Sequence, residues 1–184
     1  DFIPAQGGNA FAMVNFEIDK AGLTFDAGSA RVMAFGVILK KDPAAPNGEE
    51  FLRDVKTYFD VAENEGNAEQ TDVHSFGMTL PPGQYRLAWG VMDDASERIA
   101  TTSLEFEAPS YGTGELSIPS VIVANRLEEQ TDVIDVNTVY RGTRVGNIAL
   151  STDLDGVFGR NDELLVLYFI KGLATDPATQ QVSF

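Results

Sequence analysis

The stretch from Leu80 to Glu107 constrains this chain most. Pro81-Pro82-Gly83 rules out a helix there and supplies a corner. Beyond the corner, Tyr85, Leu87, Trp89 and Val91 alternate with Gln84, Arg86, Ala88 and Gly90. That two-residue period belongs to a strand with one buried face. Asp93-Asp94-Ala95-Ser96-Glu97-Arg98 then forms a polar turn, and Ala100, Thr102, Leu104 and Phe106 carry the alternation back. The segment reads as an antiparallel hairpin of a β-sandwich.

The residues before this hairpin repeat the pattern. Residues 1–9 read as a tail ending in Gly7-Gly8-Asn9. Ala12, Val14, Phe16 and Ile18 then define a strand over residues 10–19. Lys20-Ala21-Gly22 turns the chain, and residues 23–25 read as a short extended piece. Residues 30–40 carry apolar side chains on both parities, including Val32, Met33, Phe35, Val37, Ile38 and Leu39. This predicts a central strand covered on both faces. Residues 41–48, with Pro43, Pro46 and Asn47-Gly48, form a loop. Residues 50–61 fit a helix through Leu52, Val55 and Phe59, or a strand through Val55, Thr57, Phe59 and Val61. The strand is preferred because its surroundings are β. A polar loop over residues 62–71 and a strand over 72–80 complete about seven strands, the number in an immunoglobulin-like sandwich.

Pro109-Ser110-Tyr111-Gly112-Thr113-Gly114 is the best linker in the sequence. Beyond it, strands are expected at residues 115–124, 131–140, 146–150 and 163–170, with a further one starting at 180. Residues 125–130 read as a polar connection. Five strands are too few to close an ordinary sandwich. The predicted fold is therefore all-β: two tandem immunoglobulin-like β-sandwich domains, residues 1–109 and 115–184, joined by a linker at 110–114. The second domain is incomplete, or is completed by another chain.

Composition narrows the function. With 184 residues, 43% of them hydrophobic, the chain can bury a core. A net charge of −15 argues against nucleic acid and anionic lipid as partners. The absence of cysteine excludes disulfides, thiolate metal sites and a cysteine nucleophile. The longest apolar run, residues 164–170, is far shorter than the ~20 residues of a membrane span. Asp1-Phe2-Ile3-Pro4 lacks a basic-then-apolar leader, and Asp1 is no initiator, so the chain is read as processed or as part of something longer.

Several of these residues carry a resemblance. Leu80-Pro81-Pro82-Gly83-x-Tyr85-x-Leu87, then Asp93-Asp94 and a return strand ending Glu107-Ala108-Pro109, resembles the tandem β-sandwich region of secreted bacterial von Willebrand factor A-related and GWxTD-domain proteins. Leu116-Ser117-Ile118-Pro119-Ser120-Val121-Ile122-Val123-Ala124 resembles the opening strand of their second module. Gly156-Val157-Phe158, Asn161-Asp162 and Leu164 to Phe169 resemble the turn before its long strand. The resemblance implies an exported protein and brings no catalytic residue to this region. The von Willebrand A domain and the GWxTD motif are both missing from the chain, and nothing belonging to them carries over.

Candidate sites are few. His74 is the single histidine, with Asp72 on its strand face. A general base needs a nucleophile beside it, and no Gly-x-Ser-x-Gly elbow occurs, so a structural histidine is preferred. Asp93, Asp94 and Glu97 could hold a cation but serve equally as turn formers. Ser151, Asp153, Asp155 and Asp162, with Gly156, approximate the oxygen spacing of a calcium loop. Position 1 is Ser and position 12 is Asp, and the flanks read as strands, so a polar turn explains them better. Calcium is the one cofactor this leaves open. Trp89 lies on the apolar parity and is assigned to the core.

The expected function is a non-enzymatic extracytoplasmic structural, adhesive or assembly subunit. Its expected partners are other protein chains, including copies of itself joined by strand addition, with no nucleic acid and no membrane insertion. An incomplete sandwich leaves an edge open to such addition. The candidate edges are Glu163, Leu165 and Leu167, and Gln180, Val182 and Phe184. The alternative is a carbohydrate- or protein-binding accessory module of a larger secreted protein, using exposed aromatics such as Tyr111, Tyr140 or Phe158.

Overall fold

A computed structural model describes residues 1–63, 71–111, 116, 118–130, 138–152, 158–160, 163–172, 174–175 and 182–183. The chain is almost entirely β, built of antiparallel sheets. Seven strands precede Pro109: β1 (Phe2–Pro4), β2 (Ala10–Asp19), β3 (Ser29–Lys41), β4 (Glu49–Ala62), β5 (Thr71–Leu80), β6 (Gly83–Asp93) and β7 (Ile99–Ala108). The ambiguous segment at 50–61 is thus strand. Two differences from expectation offset each other in that count. The presumed N-terminal tail contains β1, which pairs Phe2 with Ala12 and Pro4 with Ala10. The extended piece at 23–25 is no strand, because a 3-10 turn at Lys20–Gly22 precedes it and Asp19 caps that turn by accepting from Ala21 N at 2.9 Å.

These strands form two four-stranded sheets, β4-β3-β6-β7 and β1-β2-β5-β10, the latter closed by β10 (Tyr140–Arg141). Their inner faces share one core. Ala10, Ala12, Phe76, Met78 and Leu80 meet Ala34, Ile38, Tyr85, Leu87 and Trp89. At the centre, Trp89 stacks on Phe76 with ring centroids 4.3 Å apart and planes 13° apart. Phe16 leans on Trp89 at 5.3 Å. Gly36, opposite Trp89 in the ladder, leaves room for that ring, since a Cβ there would lie 2.8 Å from it. Tyr85 ties the opening corner to its own strand by donating from its phenol to the Pro81 carbonyl at 2.8 Å.

The remaining strands are short. β8 (Val121–Ala124) pairs with β13 (Leu165–Tyr168) as a two-stranded ribbon. β9 (Arg126–Glu129), β11 (Thr143–Val145) and β12 (Ile148–Ser151) form a three-stranded sheet in the order β11-β12-β9. β14 (Ala174–Thr175) and β15 (Val182–Ser183) make a small pair. The expected polar connection at 125–130 contains β9, whose Arg-Leu-Glu-Glu carries too little alternation to read as a strand.

Packing crosses the expected linker. Val139 enters the sandwich core, and β10 extends its second sheet beside β5, Tyr140 opposite Ser75 and Arg141 opposite His74. A second core joins Ile3, Phe11 and Met13, on the outer face of that sheet, to Ile122, Ala124, Val145, Leu150, Leu165, Leu167 and Phe169. These residues of β8, β11, β12 and β13, with Phe169, therefore pack on the back of β2. The central strand covered on both faces is β2 rather than β3. Among the described residues, nothing packs over the outer face of β3.

Trp89→Ala should cost ~3–5 kcal/mol, read from the denaturant midpoint. Tyr85→Phe should cost ~1–2 kcal/mol by leaving the Pro81 carbonyl without its donor.

Candidate functional site

Three places in the structure gather chemistry-bearing side chains. The first lies at one end of the sandwich, where β5 turns Asp72 and His74 inward. Both are buried, as is Lys20 on the turn after β2. The Asp72 carboxylate accepts from Arg141 Nε at 2.9 Å through Oδ1. Its Oδ2 faces His74 Nε2 at 3.6 Å and Lys20 Nζ at 3.9 Å. His74 sits between aromatic rings, 4.7 Å from Phe59 and 5.9 Å from Phe16, centroid to centroid. Among the described residues, its two nitrogens and Lys20 Nζ have no hydrogen-bond partner. Burial pushes the Asp72 carboxyl up, but the neighbouring His74 and Arg141 outweigh that and hold it below its ordinary 3.8.

Around this carboxylate the strand after the linker is fastened. Gly142 N donates to Val73 O at 2.8 Å. Arg144 N donates to Ser75 Oγ at 3.2 Å, and Thr143 Oγ1 donates to Asn15 Oδ1 at 3.0 Å. The histidine and carboxylate expected on one strand face are together, yet they face the interior. Their arrangement holds β10 rather than presenting a base to solvent. Sequence reasoning saw Asp72 and His74 but missed Lys20 and Arg141, which come from distant segments and carry no local signal.

The second place is the turn at residues 93–98. Asp93 is buried, and Oδ2 accepts from the Ser96 hydroxyl and from Ser96 N at 3.3 Å. Its hydrogen bonds, first from Ser96 and then from Thr24, hold its carboxyl below its ordinary value despite burial. Asp94 and Glu97 point to solvent. This is the geometry of a turn-forming aspartate.

The third place is the ribbon β8–β13. Leu165 and Leu167 of the expected edge face the second core together with Ile122 and Ala124. Their neighbours face the other way. Leu164 is 59% exposed, Val166 52%, Tyr168 51% and Val121 53%. Glu163 is exposed at the strand's start. The expected edge residues Leu165 and Leu167 thus lie on the covered parity, and Leu164, Val166 and Tyr168 on the exposed one. Of the C-terminal candidates, Val182 pairs with Thr175, while Gln180 and Phe184 lie outside the described residues.

Of the calcium candidates, Ser151 ends β12 opposite Arg126. Asp153, Asp155 and Asp162 lie outside the described residues. Among the described residues, no group of three or more His, Asp or Glu side chains is placed to hold a metal ion. Trp89 lies in the core as assigned. Tyr111, Tyr140 and Phe158 are half-buried. Tyr111 donates from its phenol to Phe2 O at 3.3 Å and carries Lys171 Nζ 5.2 Å from its ring centroid. Arg144 lies 5.2 Å over Tyr140. A cation thus lies over the ring of Tyr111 and of Tyr140.

The fold and these sites define an all-β sandwich protein whose buried charges fasten strands. No family model matches the chain, and neither a curated protein nor a solved structure does.

Asp72→Asn should lower stability at neutral pH by ~3 kcal/mol, because Lys20 loses its buried counter-ion. The folded carboxyl titrates below 3.8, so its contribution is present above that value and is lost as pH falls through the folded value. The stability gap between wild type and Asp72→Asn should therefore be widest above pH 3.8 and narrow below it, measured by urea unfolding at stepped pH. A gap that stays constant would mean that the carboxylate charge does not hold this site.

Proposed function

We propose that this chain is a non-enzymatic, extracytoplasmic assembly subunit that joins other copies of itself by strand addition at the β8–β13 ribbon. The single observation that carries this reading is the ribbon's bare face. Leu164, Val166, Tyr168 and Val121 stand exposed on a sheet that, among the described residues, is two strands wide, while the opposite face is packed. Two-stranded sheets are marginal by themselves, and an unpaired strand edge offers main-chain donors and acceptors to an incoming strand. Alternate side chains then supply specificity. The inward placement of His74, the only imidazole in the sequence, supports a non-catalytic reading. The location rests on the resemblance to secreted tandem-sandwich proteins.

With the β13 edge of one copy adding to the β8 edge of the next, the contact is heterologous and does not stop at two copies. Sedimentation velocity of the purified chain should show species larger than dimers that grow with concentration. Val166→Lys with Tyr168→Lys should remove them, because desolvating two ammonium groups against an apolar strand is costly. A wild-type chain that never exceeds two copies would overturn this function.

A further inference from the structure

We infer that the outer face of the sheet β4-β3-β6-β7 is a two-fold interface on which a second copy of this chain packs the same face. The argument begins with β3. Its inward parity, Ala30, Val32, Ala34 and Ile38, is buried in the sandwich. Its outward parity is Met33, Phe35, Val37 and Leu39, all half-buried. A solvated sheet face ordinarily alternates to polar residues there. Ladder neighbours extend the apolar patch: Met92 and Ala88 on β6, Phe51 and Tyr58 on β4, and Ile99 on β7. Phe51 and Ile99 are each 60% exposed. The other sheet of the sandwich has its outer face covered by the second core, whereas among the described residues this one has no such layer.

Relief favours self-packing. The Phe35 ring lies across Gly90, where a Cβ would come within 2.5 Å of it. Phe35, Val37 and Leu39 form a ridge. Beside it Ala88, then Thr101 and Ser103 of β7, form a trough of small residues. A two-fold axis sets the ridge of one copy into the trough of the other, which is what an isologous contact requires. Sheets stacked this way align within about 30° of each other.

Charge selects the occupant. The outward parity carries four basic residues, Arg31, Lys41, Lys56 and Arg86, and five acidic ones, Glu49, Asp54, Asp60, Glu105 and Glu107. Nine of the chain's 13 basic residues and 23 of its 28 acidic ones are therefore elsewhere. Within this face the charges are largely matched. Lys41 Nζ lies 2.6 Å from Glu105, Arg86 Nε 2.8 Å from Glu49, and Arg31 4.9 Å over the Tyr58 ring. Two chains of charge −15 repel when their acidic surfaces meet. Through this near-neutral face they can associate without opposing those surfaces, and the matched pairs sit at the rim, as in an ordinary interface.

This inference stands apart from the ribbon's proposed role, because stacked sheets stop at two copies and added strands do not. The full-length chain should sediment as a dimer when Val166→Lys and Tyr168→Lys have removed larger species. In that background, Val37→Glu with Phe51→Glu should weaken the dimer on the order of 100-fold, with far-UV circular dichroism unchanged. A second measurement needs no variant. An amine-reactive linker applied to mixed heavy- and light-nitrogen chains should join Lys56 or Lys41 of one copy to Lys56 or Lys41 of the other. Either of three results overturns the inference: a chain that stays monomeric once the ribbon is blocked, a dimer unaffected by Val37→Glu with Phe51→Glu, or inter-copy links confined to Lys40 and Lys171.

Discussion

The stack of Trp89 on Phe76 is the contact on which the rest of the structure depends. It is the point where the two sheets of the sandwich touch through flat faces, 4.3 Å apart. Aromatic side chains bury the largest areas of any residue, and an offset stack adds about 0.5–1.5 kcal/mol beyond that burial. Its position dictates its neighbours. Gly36 must be glycine to let the indole lie over β3, and Phe16 closes one side of the ring. With the sheets spaced by this pair, small residues such as Ala10, Ala12 and Ala34 fill the places where the sheets approach.

Glycine–aromatic pairing recurs in both sheets. Phe11 covers Gly77, and Phe35 covers Gly90, as Trp89 covers Gly36. In each case a ring lies over a glycine on the same sheet face, restoring apolar contact that the missing side chain cannot give. Glycine weakens a strand through backbone entropy and lost packing. Here each such strand position is shielded by a ring. The consequence differs by face. Over Gly36 the ring belongs to the core; over Gly77 it feeds the second core; over Gly90 it builds the ridge of an open surface.

Much of the sandwich was legible because two-residue periodicity reports burial directly. The strands at 10–19, 72–80, 84–92 and 99–107 needed only their alternating side chains and the corners between them. Where reading failed, the cause was physical. β1 is three residues long and has no period to read, and β9 is exposed throughout, so alternation was never imposed on it. Apolar residues on both parities of β3 predict cover on both faces. The pattern reports only that the outward face is apolar, which a partner can satisfy as well as a neighbouring element. The candidate site was half legible. Asp72 and His74 stand two residues apart on one strand, whereas Lys20 and Arg141 reach them only through the fold.

The shortage of strands after the linker has a structural resolution in the same terms. Strands of two to four residues cannot enclose a core, because so little of their surface can be removed from water. They need a second layer, and the back of β2 provides it through Phe11 and Met13. One pairing then fixes the register of the whole arrangement. β10 docks beside β5, where Arg141 reaches the Asp72 carboxylate inside the sandwich. A charge buried without its partner costs far more than an exposed one, so Asp72 admits Arg141 at that position and penalises a slip of one residue, which would turn Arg141 to the opposite face. Among the described residues, the short strands after the linker pack on the outer face of the first sandwich. The surfaces left over, the ribbon's outer parity and the outward face of β3, are those with nothing among the described residues packed over them.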